Sequence, residues 1–240
     1  MQSNIYIVVY TIALTVVCGV LLAMAAVGLK PLQDANIALE KKQNILGTVM
    51  PNVPREQVEA IYAKRVKAYV INNEGAIQKD LKAEDIDVSG EYKKEMKERL
   101  LPVYEILDSE GKNTEFYVFP VYGYGLWDNI WGYISLKNDL NTVNGVLFDH
   151  KSETPGLGAR ITSEEVQKRY KDKNIFEGNK LMSVTMMKGE GNDYSKDKYK
   201  VDGMSGATIT GGGVNKMLSE YLACYENFIK SKSNKKVSMK

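Results

Sequence analysis

The sequence predicts an α+β protein: a small, mainly antiparallel sheet with flanking helices, preceded by one N-terminal transmembrane helix. Three observations carry this reading. No charged side chain occurs from Met1 through Leu29, short β-branched and aromatic runs punctuated by Gly and Asn begin at Glu115, and helical periodicity returns after them. Regular βαβ alternation is missing and no G-x-G-x-x-G follows a strand, which disfavours a doubly wound nucleotide fold.

The first element is the run IYIVVYTIALTVVCGVLLAMAAVGL, Ile5 to Leu29. At about 1.5 Å per residue it is long enough to cross a hydrocarbon core of roughly 30 Å, so residues 1–29 are assigned as a membrane anchor. Ala23 and Ala25 have the A-x-A spacing of a cleaved signal peptide. Against cleavage, the run exceeds the usual signal core of about 7–15 residues and no Lys or Arg precedes it. Residues 30–112 read as a juxtamembrane helix and a helical scaffold. Leu32, Ala35, Leu39, Leu46 and Val49 hold helical spacing until Pro51 and Pro54, and further helices are expected around Val58 to Val70 and Glu91 to Leu100.

Residues 113–230 form the predicted main domain. Its strands are EFYVFPVY, IWGYISL and VNGVLF, followed by a helix in ITSEEVQKRYKDK started by Ser163 and by another strand in KLMSVTMMKG. The last helix is marked by one apolar stripe of Val214, Met217, Leu218, Tyr221, Leu222, Tyr225, Phe228 and Ile229. Residues 231–240 read as a basic, solvated, flexible tail.

Composition narrows the function. With 32 basic against 30 acidic residues the net charge is +2, so no positive excess is available for nucleic acid. Cys18, Cys224 and the single His150 cannot supply a four-ligand Cys/His zinc site or a cysteine-ligated cluster. Redox chemistry in this chain therefore requires an organic cofactor or a partner.

Three segments carry chemical character. In Asp202-Gly203-Met204-Ser205-Gly206-Ala207-Thr208-Ile209-Thr210, small residues and hydroxyls stand just before the last helix. Free amides and the positive end of a helix dipole favour a phosphate there, flanked by Thr208 and Thr210; alternatively this is a Gly-rich turn that Thr210 merely caps. In Asp149 to Arg160, Pro155, Gly156 and Gly158 allow the backbone to approach a ligand, or simply to turn, and His150 is assigned a hydrogen-bonding loop role. In Tyr122 to Tyr133, glycines alternate with aromatics; Trp127 is expected outside the core, free to meet something planar, and Trp131 inside it.

Together these segments resemble a known family. DGMSGAT is similar to the D-G-x-S-G-A-T signature at which bacterial flavin transferases attach FMN, through its phosphate, to the last threonine, here Thr208. The order of AAVGLKPLQDAN, GYGLW, ETPGLG and SGATIT resembles the NqrC family of the Na+-translocating NADH:quinone oxidoreductases, and GYGLW with DLNTV (Asp139 to Val143) favours it over the RnfG counterpart in Rnf-type ferredoxin:NAD complexes. The resemblance implies a single-span subunit of the cytoplasmic membrane whose FMN domain lies on the outer, periplasmic side. It would relay electrons between an iron–sulfur centre and another flavin held by neighbouring subunits. Lys30, Lys41 and Lys42 argue for the opposite sidedness, but long domains translocate largely regardless of charge.

By the same resemblance, Trp127, Glu153, Thr154, Leu157, Gly158 and Lys188 line the cofactor, Ser205, Gly206 and Ala207 surround its ribityl-phosphate, and Asp202 and Gly203 are read by the transferase. Trp127 and Leu157 are suited to flat apolar contact, Glu153 and Thr154 to polar contact at a ring edge. No catalytic acid, base or metal ligand is assigned. The implied partners are the other subunits, the flavin transferase and the membrane. The reading of a different class is a cofactor-free, membrane-anchored assembly module in which Thr208 only caps a helix.

Overall fold

The computed structural model describes residues 4–237, and the chain divides into two units, one ending at Lys41 and the other beginning at Lys42. Span and juxtamembrane helix are one element, α1 (Asn4–Gly47), which stops at Gly47 rather than at Pro51. Its apolar window has a mean hydropathy of 2.6, and no residue of that window is buried by the protein. The hydroxyls of Thr11 and Thr15 donate to the carbonyls of Ile7 and Thr11 at 2.8 Å, so these polar groups are satisfied within the helix, as an apolar medium demands. Along the expected amphipathic face Leu32 and Ala35 are exposed, Leu39 and Val49 are half-buried and Leu46 is buried. Burial begins in the second unit with Ile45 and Leu46.

The second unit is built on a six-stranded antiparallel sheet in the order β2-β1-β3-β4-β5-β6. Its strands are β1 (Val66–Ile71), β2 (Ile77–Gln78), β3 (Leu101–Leu107), β4 (Thr114–Tyr124), β5 (Asn129–Lys137) and β6 (Val143–His150). The sheet therefore starts at Val66 rather than at Glu115, and three of its strands lie in the expected helical scaffold. Only α2 (Val58–Arg65), α3 (Val88–Tyr92) and short 3-10 turns are helical between Pro51 and Leu101. Strand β3 is buried along its whole length, although Pro102 lies within it. Extending the Tyr104↔Val118 register would set Pro102 opposite Pro120, two residues with no N–H to share, and the β3–β4 ladder stops at Tyr104. The buried Tyr225 hydroxyl donates to the Pro102 carbonyl at 2.8 Å across this gap.

The last helix, α5 (Thr208–Val237), covers the sheet. Every residue of its predicted stripe is buried, and Tyr225 meets Phe119 of β4 with ring centroids 4.6 Å apart. Such side chains each contribute roughly 1.5–3 kcal/mol on burial, so the stripe is what clamps helix to sheet. The helix continues through residues 231–237, which were expected as a flexible tail; residues 238–240 of that tail lie outside the described residues.

Smaller corrections concern the segment before α5. The predicted helix in residues 161–173 is a 3-10 turn (Gly158–Thr162) and the short α4 (Glu164–Lys168), with Ser163 at its N-cap as expected. Asp172, in the left-handed region at φ 62°, turns the chain away. The strand expected in residues 180–189 is broken at Ser183 (φ 60°) into β8 (Lys180–Leu181), which pairs with β7 (Phe176–Glu177), and β9 (Thr185–Met186), which pairs in parallel with β10 (Lys200–Val201). Trp131 is only half-buried: strand alternation turns it to the face opposite the buried Ile130 and Ile134. Cys18 and Cys224 are both free.

Candidate functional site

The three chemically marked segments meet at the N-terminus of α5. The first is the tip of the β4–β5 hairpin, closed by a hydrogen bond from the Gly125 amide to the Asp128 carbonyl at 2.9 Å. Leu126 and Trp127 stand out from it, Trp127 with 67% of its surface exposed, as its place between turn residues suggested. The second segment leaves β6 at His150, whose Nδ1 accepts from the Glu153 amide at 3.2 Å, in keeping with a loop role. It then turns at Thr154, whose carbonyl accepts from the amides of Leu157 and Ala159, with Gly156 at φ 75°.

The third segment enters α5. Asp202 accepts from the Gly191 and Asn192 amides at 2.7 and 3.2 Å, Gly206 turns the chain at φ 73°, and Gly211 makes an early helical bond to the Ala207 carbonyl at 2.9 Å. Burial pushes the Asp202 carboxyl up, but these amides outweigh it and hold it below the ordinary aspartate range. Gly203 is required by packing: a side chain there would run into the carbonyls of Met187 and Gly189.

Glu153 joins the segments. It is 3% exposed; one carboxylate oxygen accepts from the amides of Leu126 and Trp127, both at 2.9 Å, and the other from the Thr210 hydroxyl at 2.6 Å. Burial raises its pKa, yet the Thr210 hydroxyl and the two amides win and leave it below the usual glutamate value. Gly125 and Gly158 lie against this carboxylate so closely that a methyl group on either would displace it. Glu153 is thus an internal bracket between the hairpin tip and the first turn of α5.

Around the bracket Trp127, Thr154, Leu157 and Lys188 are exposed, while Gly158 is buried. The Trp127 indole donates to the Thr154 hydroxyl at 3.1 Å, and Leu157 lies beside Gly206. Ser205, Gly206 and Thr208 are exposed, whereas Ala207 and Thr210 are buried. Lys188 and Thr208 line one groove of about 380 Å³ with Met186, Met187, Gly211 and Asn215. The two hydroxyls that sequence left side by side are therefore distinct: Thr208 opens onto this groove, while Thr210 is committed to Glu153. Sequence reasoning missed Glu190, which accepts from the Ser205 amide, and the arginines that hold it; a lone glutamate in a Gly-rich loop gives no periodic or motif signal.

This arrangement fits a flavin phosphate. The reachable hydroxyl is at the positive end of a 30-residue helix, small residues precede it, and the exposed Leu157 lies beside Gly206. Residues 125–223 match the FMN-binding domain family, so the match opens at the hairpin tip and closes within α5. Over 219 residues the chain is 33% identical to the NqrC protein of the Na(+)-translocating NADH-quinone reductase of Haemophilus ducreyi, covering 85% of this chain and 84% of that protein. The Pseudomonas aeruginosa NqrC is 30% identical over 242 residues, 92% of each chain. A crystal structure of the Parabacteroides distasonis NqrC superposes with a TM-score of 0.74 at 32% identity, covering 84% of this chain and 96% of that one. The Shewanella oneidensis NqrC structure gives 0.72 at 27% identity, with 83% and 99% covered. Similar to these proteins over more than four-fifths of its length, the chain belongs to the NqrC family of Na(+)-translocating NADH-quinone reductase subunits.

Proposed function

We propose that this chain is the FMN-carrying electron-transfer subunit of a Na+-translocating NADH-quinone reductase and that its FMN is linked through phosphate to Thr208. The observation that carries the attachment point is the contrast between the exposed Thr208 and the buried, hydrogen-bonded Thr210. Esterifying a hydroxyl requires an activated phosphate, so the donor is a flavin dinucleotide presented by a flavin transferase. Thr208 Oγ forms the new bond to the flavin-side phosphorus, the phosphoanhydride bond breaks, and the nucleoside monophosphate and the hydroxyl proton leave.

Ser205, Gly206 and Ala207 would surround the phosphate, with Trp127, Thr154, Leu157, Gly158 and Lys188 placed to border the rest of the group. A bound FMN supplies one- and two-electron redox chemistry, and the protein supplies position and electrostatics. Glu153 holds the Trp127 backbone and the first turn of α5 in fixed relation, so Trp127 and the attachment point keep one geometry. Asp202 and Gly203 shape the segment that the transferase reads. α1 is the single-pass anchor, with the flavin domain on the outer side of the cytoplasmic membrane. The other subunits exchange electrons with it, from an iron–sulfur centre on one side to a second flavin on the other.

Co-expression with a flavin transferase, followed by denaturation and peptide mass mapping, tests the linkage. Flavin fluorescence is expected to stay with the wild-type polypeptide, on a peptide containing Thr208, and to be lost in Thr208→Ala. Covalent flavin in that variant, with the added mass on Ser205 or Thr210, refutes the assignment.

A further inference from the structure

An ionic cluster that no recognised motif contains holds the segment leading to Thr208. Glu190 accepts from the Ser205 amide at 3.0 Å and from both terminal nitrogens of Arg160, at 2.9 and 2.5 Å. Arg169 donates to Glu190 at 3.0 Å and to Glu165 at 2.5 Å, and also reaches the carbonyls of Gly203 and of Asp202, the latter at 3.3 Å. The arginines come from the 3-10 turn and the end of α4, Glu190 from the loop after β9. Residues 202–205 are thus gripped on both backbone polarities, their carbonyls by Arg169 and the Ser205 amide by Glu190.

The grip acts where the chain must be set. Gly206, next to Ser205, is in the left-handed region, and Thr208, two residues on, begins α5. A segment of small residues such as Ser205-Gly206-Ala207 has little side-chain packing to hold it, so its backbone bonds decide which conformations it samples. Bidentate arginine–carboxylate pairing fixes geometry as well as charge, which suits it to this task.

We propose that Glu190, braced by Arg160 and Arg169, is a positioning residue for cofactor attachment: it holds the Ser205 amide so that Thr208 is presented to the flavin transferase in a single conformation. The proposal rests on the reading of Thr208 as the attachment point. Glu190 takes no part in bond formation. Its loss lowers the fraction of chains in the competent conformation, and a fractionally populated competent state raises the apparent KM in proportion.

The test uses the full chain in detergent, a purified flavin transferase and a flavin dinucleotide, with initial rates of covalent fluorescence read at several chain concentrations. Glu190→Ala is expected to raise KM for the chain about tenfold with little change in kcat. Glu190→Gln keeps an oxygen for the Ser205 amide but loses the charge that orders the arginines, and should fall between. A purely structural role would lower the thermal midpoint and leave kcat/KM of the folded protein unchanged. Glu190→Ala with kcat/KM within twofold of wild type overturns the proposal. If that variant does not fold, the double variant Arg160→Gln/Arg169→Gln decides, since it removes both braces and leaves the Ser205 partner in place: a raised KM supports positioning, an unchanged one overturns it. Wild-type protein that takes up no covalent flavin refutes the Thr208 reading instead, so the two failures are distinguishable.

Discussion

Removing the Glu153 carboxylate disconnects the hairpin tip from α5, and the cost can be worked out bond by bond. Hydrogen bonds to a charged group are worth about 1.5–3 kcal/mol each, and a buried group left without its partner costs about 1–3 kcal/mol. The Leu126 and Trp127 amides belong to exposed residues and regain water in Glu153→Ala; the Thr210 hydroxyl, on a residue only 1% exposed, cannot. Counting the buried bond in full and the exposed ones in part gives about 3 kcal/mol, or a fall in Tm of about 6–12 °C for a domain of this size. Glu153→Gln keeps one oxygen for the two amides, and its NH2 can donate to Thr210 Oγ, so about 1 kcal/mol and 2–4 °C are expected. Urea unfolding of the full chain in detergent, followed by tryptophan emission and far-UV dichroism, measures both. An Ala variant within 0.5 kcal/mol of wild type (roughly the scatter of ordinary surface changes), or a Gln variant as damaged as Ala, would refute the bracket.

The same carboxylate makes the fold acid-sensitive. Its folded pKa lies below the ordinary glutamate value of about 4.3, so its contribution is fully present above that value and is lost as pH falls through the folded pKa; the stability gap between wild type and Glu153→Gln should be constant above about pH 5 and close below about pH 4. Thr210→Val, which removes a buried hydroxyl, should lower stability by about 1–2 kcal/mol yet leave covalent flavin in place on mass mapping, the opposite of Thr208→Ala. Gly206→Ala forces a side chain into φ 73° with its Cβ 2.8 Å from Leu157 Cδ2, so a loss of about 1–2 kcal/mol in thermal unfolding and slower flavin loading are expected. A chain begun at Lys30 should remain in the supernatant after ultracentrifugation and still accept flavin; pelleting with membranes would contradict the assignment of α1 as the anchor.

What sequence made legible follows physical lines. The α5 stripe was readable because a long periodic pattern has few competing explanations, and all eight of its residues are buried. Trp127 was readable because its neighbours are turn residues. Strand β1 was not: VKAYVI follows the helix VEAIYAKR without a break, and its lysine and alanine blur the alternation. Strand β3 was hidden by Pro102, which argues against a central strand unless the ladder is known to stop there. At the site, GYGLW, ETPGLG and SGAT marked three segments that the fold brings together. They could not tell which polar groups are spent internally, because Glu153 is paired with residues 26, 27 and 57 positions away. Glu190 had no signal at all, since its partners Arg160, Arg169 and Ser205 come from three other segments.

The glycines around the attachment point limit how the site can move. Gly213 of α5 fits directly against the Tyr124 carbonyl, backbone to backbone, and Gly123 of β4 fits against the base of the Met217 side chain, so helix and hairpin are in close contact. Such a joint has no slack: neither element can slide on the other without a main-chain collision. A group carried on Thr208 is therefore mounted on the sheet itself, and its distance to any donor or acceptor cannot be tuned by loop fluctuation within this unit. If electron delivery in the assembled enzyme requires that distance to change between steps, the stroke must be a displacement of this unit as one body. Freezing that displacement, by crosslinking the domain to a neighbouring subunit, would stop turnover while leaving the cofactor and its immediate surroundings untouched.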